Sequence, residues 1–237
     1  MDDPFGQALL DHYRECRESP LLQCDGPNQH KHRVDEFYFN SYFSLPESGW
    51  IENQLRGPLL DIGAGAGRDT LYFQTHFETI AIEISEQLVT LLNERGAQDA
   101  RFGDMFEVRD QFPEDRFQSI LISGTQLGQA TSMLGLRQLL NDFAYITTDT
   151  GTAVIDAYDP DYEGATEMLG YRDDPTPGIG YRTVYYQYEN VQSEIVLTLL
   201  FSPERLREAT IGTDWTVREI RRPRDSYYYR AALEKEV

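Results

Sequence analysis

Lysine is nearly missing from this chain. Only Lys31 and Lys235 occur, so 19 of its 21 basic side chains are arginine (21 minus 2), against 40 acids and a formal net charge of −19. So acidic a surface lacks the cationic footprint that phosphate backbones require, which argues against a nucleic-acid partner. Its self-repulsion is tolerable where salt screens it, and an acid-rich, lysine-poor composition resembles that of proteins from salt-loving cells. Arg221, Arg222 and Arg224 form the one basic cluster and read as a solvated loop.

Cysteine is scarce too. Cys16 and Cys24 are too few for a disulfide framework. With His12, His30 and His32 nearby they invite a zinc reading, but Cys-x7-Cys followed by His-x-His is not a recurring zinc spacing, and no metal is expected. Apolar runs of about 18 residues are lacking, as is a charged-then-apolar leader, so a soluble, cytoplasmic protein without membrane association is expected. No repeat or low-complexity segment interrupts the chain.

Periodicity supplies the organisation. Up to about Gln54 the chain reads as helical pieces, "FGQALLDHYREC", "VDEFYFNSYF" and "ESGWIENQL", broken by Pro20 and Pro27. Strands then alternate with helices: Leu59–Ile62, a helix over 68–74, a strand over 79–84, a helix capped by Ser85 and stopped at Gly96, and a strand at Ala100–Phe102. A strand over 117–123, a helix over 135–146 and a strand over 152–158 follow. Alternation of this kind implies right-handed crossovers and a parallel sheet covered on both faces. After Pro160, "GYRTVYYQYENVQSEIVLTLLF" reads as two strands around a turn near Glu189–Gln192. Ser202 and Pro203 open a helix, and "WTVREI" and "YYYRAAL" form a terminal antiparallel pair. The expectation is one α/β domain: a helical cover (1–54), a core (55–158), an inserted hairpin (159–202) and a closing helix and strand pair (203–237).

The chemistry concentrates in "PLLDIGAGAGRDTLYF". A strand running through glycines into a helix turns backbone N–H groups and the positive helix end toward the carboxyl edge of the sheet, where doubly wound folds bind ligands. A dinucleotide site needs G-x-G-x-x-G. Here Gly63, Gly65 and Gly67 are spaced G-x-G-x-G and Arg68 takes the last position, so that fingerprint fails by one residue and a nicotinamide enzyme is disfavoured. Acids accompany the turn. Asp61 precedes it, where a carboxylate can receive a cationic group. Glu83 closes the next strand, where it can accept from both hydroxyls of a ribose. Asp104 follows Gly103, placed to accept from an adenine amino group, with Met105 and Phe106 able to flank the ring. Arg68 reads as a solvated helix residue and Asp69 as a first-turn acid favouring the helix dipole.

With these residues in order the sequence resembles the class I S-adenosylmethionine-dependent methyltransferase family. "LLDIGAGAGRDT" is similar to its first motif, "AIEIS" to its second, "FGDMFE" to its third and "FQSILISGTQLG" to its fourth; the closing strand pair fits as well. The resemblance implies a doubly wound, seven-stranded, mostly parallel, Rossmann-like sheet whose last strand runs antiparallel. It implies S-adenosyl-L-methionine as cofactor, with contacts at Asp61, Gly63, Ala64, Gly65, Glu83, Ile84, Asp104, Met105, and Ser123, Gly124 and Gln126. "SGTQLG" stands where nucleobase-amine and glutamine enzymes of that family carry Asn or Asp, two prolines and an aromatic, and no cysteine serves a pyrimidine carbon.

A small-molecule acceptor is therefore expected, covered by the N-terminal segment and the insert. Tyr13, Tyr38 and Tyr42 in the first, and Tyr158, Tyr162, Tyr181, Tyr185 and Tyr186 in the second, are candidate pocket residues. His12, Tyr13, Tyr158 and Asp159 are candidate catalytic groups, though none is an evident base. The alternative is a non-catalytic or regulatory cofactor-binding protein. The charge makes one prediction now: the unfolding midpoint rises as KCl goes from about 0.1 M to about 3 M, because the Debye length falls from ~10 Å to below ~3 Å. A midpoint that is flat or falls over that range removes the salt-adapted reading.

Overall fold

A computed structural model describes residues 3–223 and 226–235. The strands are β1 (Leu22–Asp25), β2 (Asn28–Lys31), β3 (Leu59–Ile62), β4 (Thr79–Glu83), β5 (Ala100–Phe102), β6 (Phe117–Ile122), β7 (Thr147–Tyr158), β8 (Tyr171–Asp173), β9 (Ile179–Tyr188), β10 (Val191–Gln192), β11 (Val196–Phe201), β12 (Trp215–Arg221) and β13 (Tyr228–Lys235). The α-helices are α1 (Pro4–Tyr13), α2 (Ser48–Gln54), α3 (Arg68–Phe73), α4 (Glu86–Glu94), α5 (Val108–Gln111), α6 (Met133–Ile146) and α7 (Pro203–Thr210).

Seven strands form the central sheet in the order β12-β13-β7-β6-β3-β4-β5. β3, β4, β5, β6 and β7 pair in parallel, and β13 is antiparallel to both its neighbours. This is the doubly wound sheet the alternation predicts. Its strands are apolar on both sides because both faces are covered. Leu60, Ile62, Ile120, Ile122 and Ile155 pack with Leu136, Leu140 and Phe143 of α6. The alternate residues Leu59, Leu121 and Val154 pack with Ile51, Leu55 and Phe73 on the other face. Ser85, Ser132 and Ser202 cap α4, α6 and α7 through their side chains, each accepting from a main-chain N–H of the first turn.

The N-terminal segment departs from expectation. Residues 22–31 are a β-hairpin, not part of a helical cover, and 35–39 form one π-helical turn in place of a regular helix. The hairpin pairs through β1 with β9, so the inserted strands are not an isolated hairpin. β1, β2, β8, β9, β10 and β11 make a second, six-stranded sheet. It roofs the carboxyl edge of the central sheet: a Cβ on Gly128, just beyond β6, would meet the Leu199 carbonyl and the Thr198 methyl of β11 at 2.5 Å.

The basic loop is also not simply solvated. Arg222 is half-buried, ion-paired with Asp159, with its guanidinium 4.7 Å from the Tyr162 ring centroid; Arg221 is exposed and pairs with Glu219, and Arg224 lies outside the described residues.

Asp156, 2% exposed in mid-sheet, is the polar tie that shapes the edge. Its carboxylate accepts from the N–H groups of Gly124 (2.9 Å) and Thr125 and from the Tyr228 hydroxyl (2.7 Å), fixing the turn after β6 to β7 and β13. Burial raises its pKa, opposed by Arg230 and these donors. Asp156→Ala should cost about 3–5 kcal/mol in a denaturant titration, since it strands buried donors and a cation; a loss below about 1 kcal/mol contradicts that role.

Candidate functional site

The strand order reverses between β3 and β6: the chain leaves β3 toward β4 on one side and returns to β6 on the other. Crossovers thus leave a crevice at the carboxyl ends of these two strands. Gly63, Gly65 and Gly67 end β3 there, with φ of +68°, +58° and +82°. A Cβ on Gly63 would stand 3.0 Å from Gln126 Cγ across the crevice, and one on Gly65 would touch the Tyr38 ring at 3.6 Å, so these two need both the backbone freedom and the space. Gly67 answers a different need, because a Cβ there would strike Leu92 at 2.5 Å.

Gly63, Glu83, Ile84, Asp104, Met105 and Gln126 line one cleft with Ile62, Gly103, Phe106 and Gln129. These include six of the residues expected to contact a cofactor. Glu83 Oε2 accepts from the Gly65 N–H at 3.0 Å and Oε1 from the Ile84 N–H at 3.1 Å, which binds the end of β4 to the glycine turn. Burial raises the Glu83 pKa against those two donors. Asp104 Oδ1 accepts from the Phe106 N–H at 2.9 Å, setting the turn that brings Met105 and Phe106 to the cleft wall. Ser123 and Gly124 lie in the adjoining turn held by Asp156. The cleft holds about 100 Å³, below the ~300–1,000 Å³ of sites for whole small ligands. The Tyr38 ring lies against Gly65. A larger open depression, between Phe106 and the start of α6, has none of the glycines or of the acids Asp61, Glu83 and Asp104.

Asp61 and Ala64 stand behind and within the turn. Asp61 is 2% exposed and accepts from the Thr70 hydroxyl at 2.5 Å. Burial, then the nearby Asp69, raises its pKa to about 7. Arg68 is not the solvated residue the sequence suggests. Its side chain is 17% exposed, pairs with Asp69 at 3.2 Å and donates to the Phe37 carbonyl at 2.7 Å, which ties the π-helical turn to α3.

Beyond Gly65 the walls are aromatic. Tyr38, Tyr158, Tyr186 and Tyr228 are half-buried around this end of the sheet. The Tyr38 hydroxyl is 3.0 Å from His32 Nε2, the His32 and Tyr186 rings are 5.6 Å apart, and Tyr158 packs edgewise on Tyr228 at 6.0 Å. Burial lowers the His32 pKa to about 4 and raises that of Tyr158 to about 12. Tyr228 and Asp156 were not among the residues singled out for chemistry, and His32 was weighed only as a metal ligand; the strand-end placement of Tyr158 was the one hint at them.

Three candidate catalytic groups are placed elsewhere or otherwise engaged. α1 runs beside α4 in the same direction, with Asp3 at Ser85 and Arg14 at Glu94. Tyr13, whose hydroxyl donates to the Glu94 carbonyl, and His12, which pairs with Asp35 at 3.0 Å, therefore sit beside the last turn of α4 and are not among the residues that line the cleft. Asp159 is ion-paired with Arg222. Of the candidate pocket tyrosines, Tyr42 stacks on Tyr72, Tyr181 packs on the main core, Tyr162 lies beneath Arg222 and Tyr185 donates to the Gly26 carbonyl.

No family model matches the chain, and no curated protein matches it in sequence. Solved structures do share its fold. A methyltransferase from Bacteroides fragilis, described as S-adenosylmethionine-dependent and solved with S-adenosyl-L-homocysteine, superposes with a TM-score of 0.80 at 21% identity over 99% of this chain and 95% of its own. One from Clostridium acetobutylicum gives 0.61 at 12% identity over 80% and 88%. The 1,6-didemethyltoxoflavin-N1-methyltransferase of Burkholderia thailandensis, solved with 1,6-didemethyltoxoflavin and S-adenosylhomocysteine, gives 0.57 at 16% identity over 100% and 92%. The chain has the Rossmann-like methyltransferase fold.

The buried Asp61 carries a stability prediction. Its folded pKa lies above its unfolded value, so its stability contribution is fully present below about pH 4 and lost as pH rises toward 7. Asp61→Asn, which still accepts from Thr70, should equal the wild type near pH 4. It should be the more stable protein by on the order of 2–4 kcal/mol above pH 7. A gap independent of pH would show that Asp61 is ionised throughout.

Proposed function

We propose that the protein is an S-adenosylmethionine-dependent methyltransferase, a single domain that methylates a small molecule by in-line transfer. The observation that carries this is the convergence of Glu83, Asp104 and Gly63 on one cleft at the strand-order reversal of a methyltransferase fold. When bound, the cofactor supplies an electrophilic methyl group on a sulfonium.

The chain's own residues suit the rest. Glu83 offers a carboxylate to ribose hydroxyls. Asp104 and the side chains of Met105 and Phe106 offer an acceptor and two flanking surfaces for a purine. The turn at Gly63–Gly65 admits a chain close to the backbone. Asp61, ~20 residues before Glu83 in sequence and buried beneath the turn, is placed to hold an ammonium directly or through water. Tyr38 must swing away from Gly65 for the amino-acid end to enter, and the contacts of Arg68 with Phe37 and Arg95 with Tyr38 are the ties that such opening strains. The tyrosine walls then exclude water, and alignment supplies much of the acceleration.

Binding without turnover is the second reading, and one observation favours it. Among the described residues the aromatic recess holds no group ready to take a proton near neutrality: burial lowers the His32 pKa to about 4 and raises those of Tyr38, Tyr158 and Tyr228. Transfer to an acceptor already deprotonated needs no such group.

Calorimetry with S-adenosylhomocysteine in molar KCl is the test of the binding step. One site should be seen, with a proton released between pH 6 and 7 in buffers of differing ionisation heat, because an ammonium beside Asp61 favours its carboxylate. Glu83→Ala should weaken binding by about 10–100-fold. Absence of binding removes the proposal. Binding without release of radiolabelled methyl into any fraction of small metabolites favours the second reading.

A further inference from the structure

Acids outnumber bases 40 to 21, so an arginine without a carboxylate needs a reason. Arg172, on the same sheet as Arg182, pairs with Asp25 at 2.6 Å, and Arg222 pairs with Asp159. Arg56, Arg95 and Arg137 lack an acid, but each donates to two main-chain carbonyls, and Arg230 lies in the field of Asp156. Arg182 differs. Among the described residues it forms no ion pair; its Nε donates to the Leu169 carbonyl at 2.9 Å and one terminal nitrogen to Gln23 Oε1 at 2.7 Å. A guanidinium has five N–H donors, so most of its charged end is left over.

That end faces the recess. Arg182 and Tyr186 alternate onto one face of β9, and Gln23, opposite Tyr186 on β1, donates to the Tyr186 hydroxyl at 3.0 Å. From Tyr186 the wall continues through His32 to Tyr38 and Gly65. Gln23 thus bridges the Arg182 guanidinium and the Tyr186 hydroxyl, and the positive charge of Arg182 also acts on His32 and Tyr158. All of these side chains keep some accessible surface. A half-buried cation surrounded by neutral rings and hydroxyls is costly unless an anion completes it.

We propose that Arg182 anchors a carboxylate of the acceptor beside Tyr186, so that the methylated molecule is a small carboxylic acid. This rests on the methyl-transfer reading above. A carboxylate fits better than a phosphate: its two oxygens match the guanidinium edge, one cation balances one negative charge, and Glu83 and Asp156 at the same sheet edge oppose a dianion.

The test uses the full-length protein saturated with S-adenosylhomocysteine in molar KCl. Calorimetry compares a panel of aromatic and aliphatic carboxylic acids, benzoate and butyrate among them, with their primary amides and phosphonates. In the wild type at least one acid should bind about 10–100-fold more tightly than its amide, and the phosphonates no better than the amides. Arg182→Met should abolish the acid preference while leaving S-adenosylhomocysteine affinity unchanged; that affinity reports folding. Arg182→Lys, which keeps the charge on a different donor geometry, should retain part of it, and serves where Arg182→Met does not fold. No acid preferred over its amide in the wild type, a preference surviving in Arg182→Met, or phosphonates bound more tightly than acids each overturns the proposal. Loss of S-adenosylhomocysteine binding by the wild type is a separate result, and overturns the methyl-transfer reading instead.

Discussion

The crevice between the carboxyl ends of β3 and β6 governs the rest of the molecule. Parallel strands need crossovers, and where successive crossovers leave to opposite sides the neighbouring strand ends are left without a covering helix. Everything chemically distinctive gathers at that gap. The β3 end is a left-handed glycine turn, and the β6 end is a turn pinned from below by Asp156. Glu83 spans from the next strand to the Gly65 N–H, so the first two strand ends move as one body. The geometry of the gap is therefore set by buried polar contacts, while the apolar layers on either face set only its position.

Electrostatics at this edge is dominated by burial. Asp61, Glu83 and Asp156 are each less than a tenth exposed and each is pushed toward its neutral form, in a chain whose surface already carries a large negative surplus. Backbone N–H groups and hydroxyls stabilise the three carboxylates only in part. A cationic ligand would relieve this arrangement and an anionic one would worsen it, except near Arg182, which forms no ion pair among the described residues. Charge thus divides the edge into a part suited to a positive group, at Asp61, and a part suited to a negative one, at Arg182.

Much of this was legible because the central sheet obeys local rules. Leu59–Ile62 and Ala100–Phe102 are four- and three-residue strands whose boundaries follow from apolar runs and flanking glycines, and Ser85 and Ser202 stand at real caps. Glu83 and Asp104 were legible as strand-end acids. The second sheet was not. Its pairing of β1 with β9 joins residues more than 150 apart in sequence, and no local period encodes such a contact. The Gly26-Pro27 turn, with glycine at its first central position, was nonetheless a hairpin signal, overridden by the helical reading on either side of it. His12 and Tyr13 engage Asp35 and Glu94 because α1 packs beside α4, a long-range contact that no local period encodes. Asp156 reads as an ordinary strand residue; only its depth and its three donors reveal its task.

That long-range pairing has a mechanical consequence. The roof is built from both the N-terminal segment and the insert, and its inner face carries Gln23 from one and Arg182 and Tyr186 from the other, joined by hydrogen bonds of 2.7 Å and 3.0 Å. His32, just past the end of β2, then links this face to Tyr38, which covers Gly65. Movement of Tyr38 off the glycine turn cannot occur without disturbing His32, and His32 packs on Tyr186. The cover over the glycine turn and the aromatic recess beyond it therefore belong to one connected body.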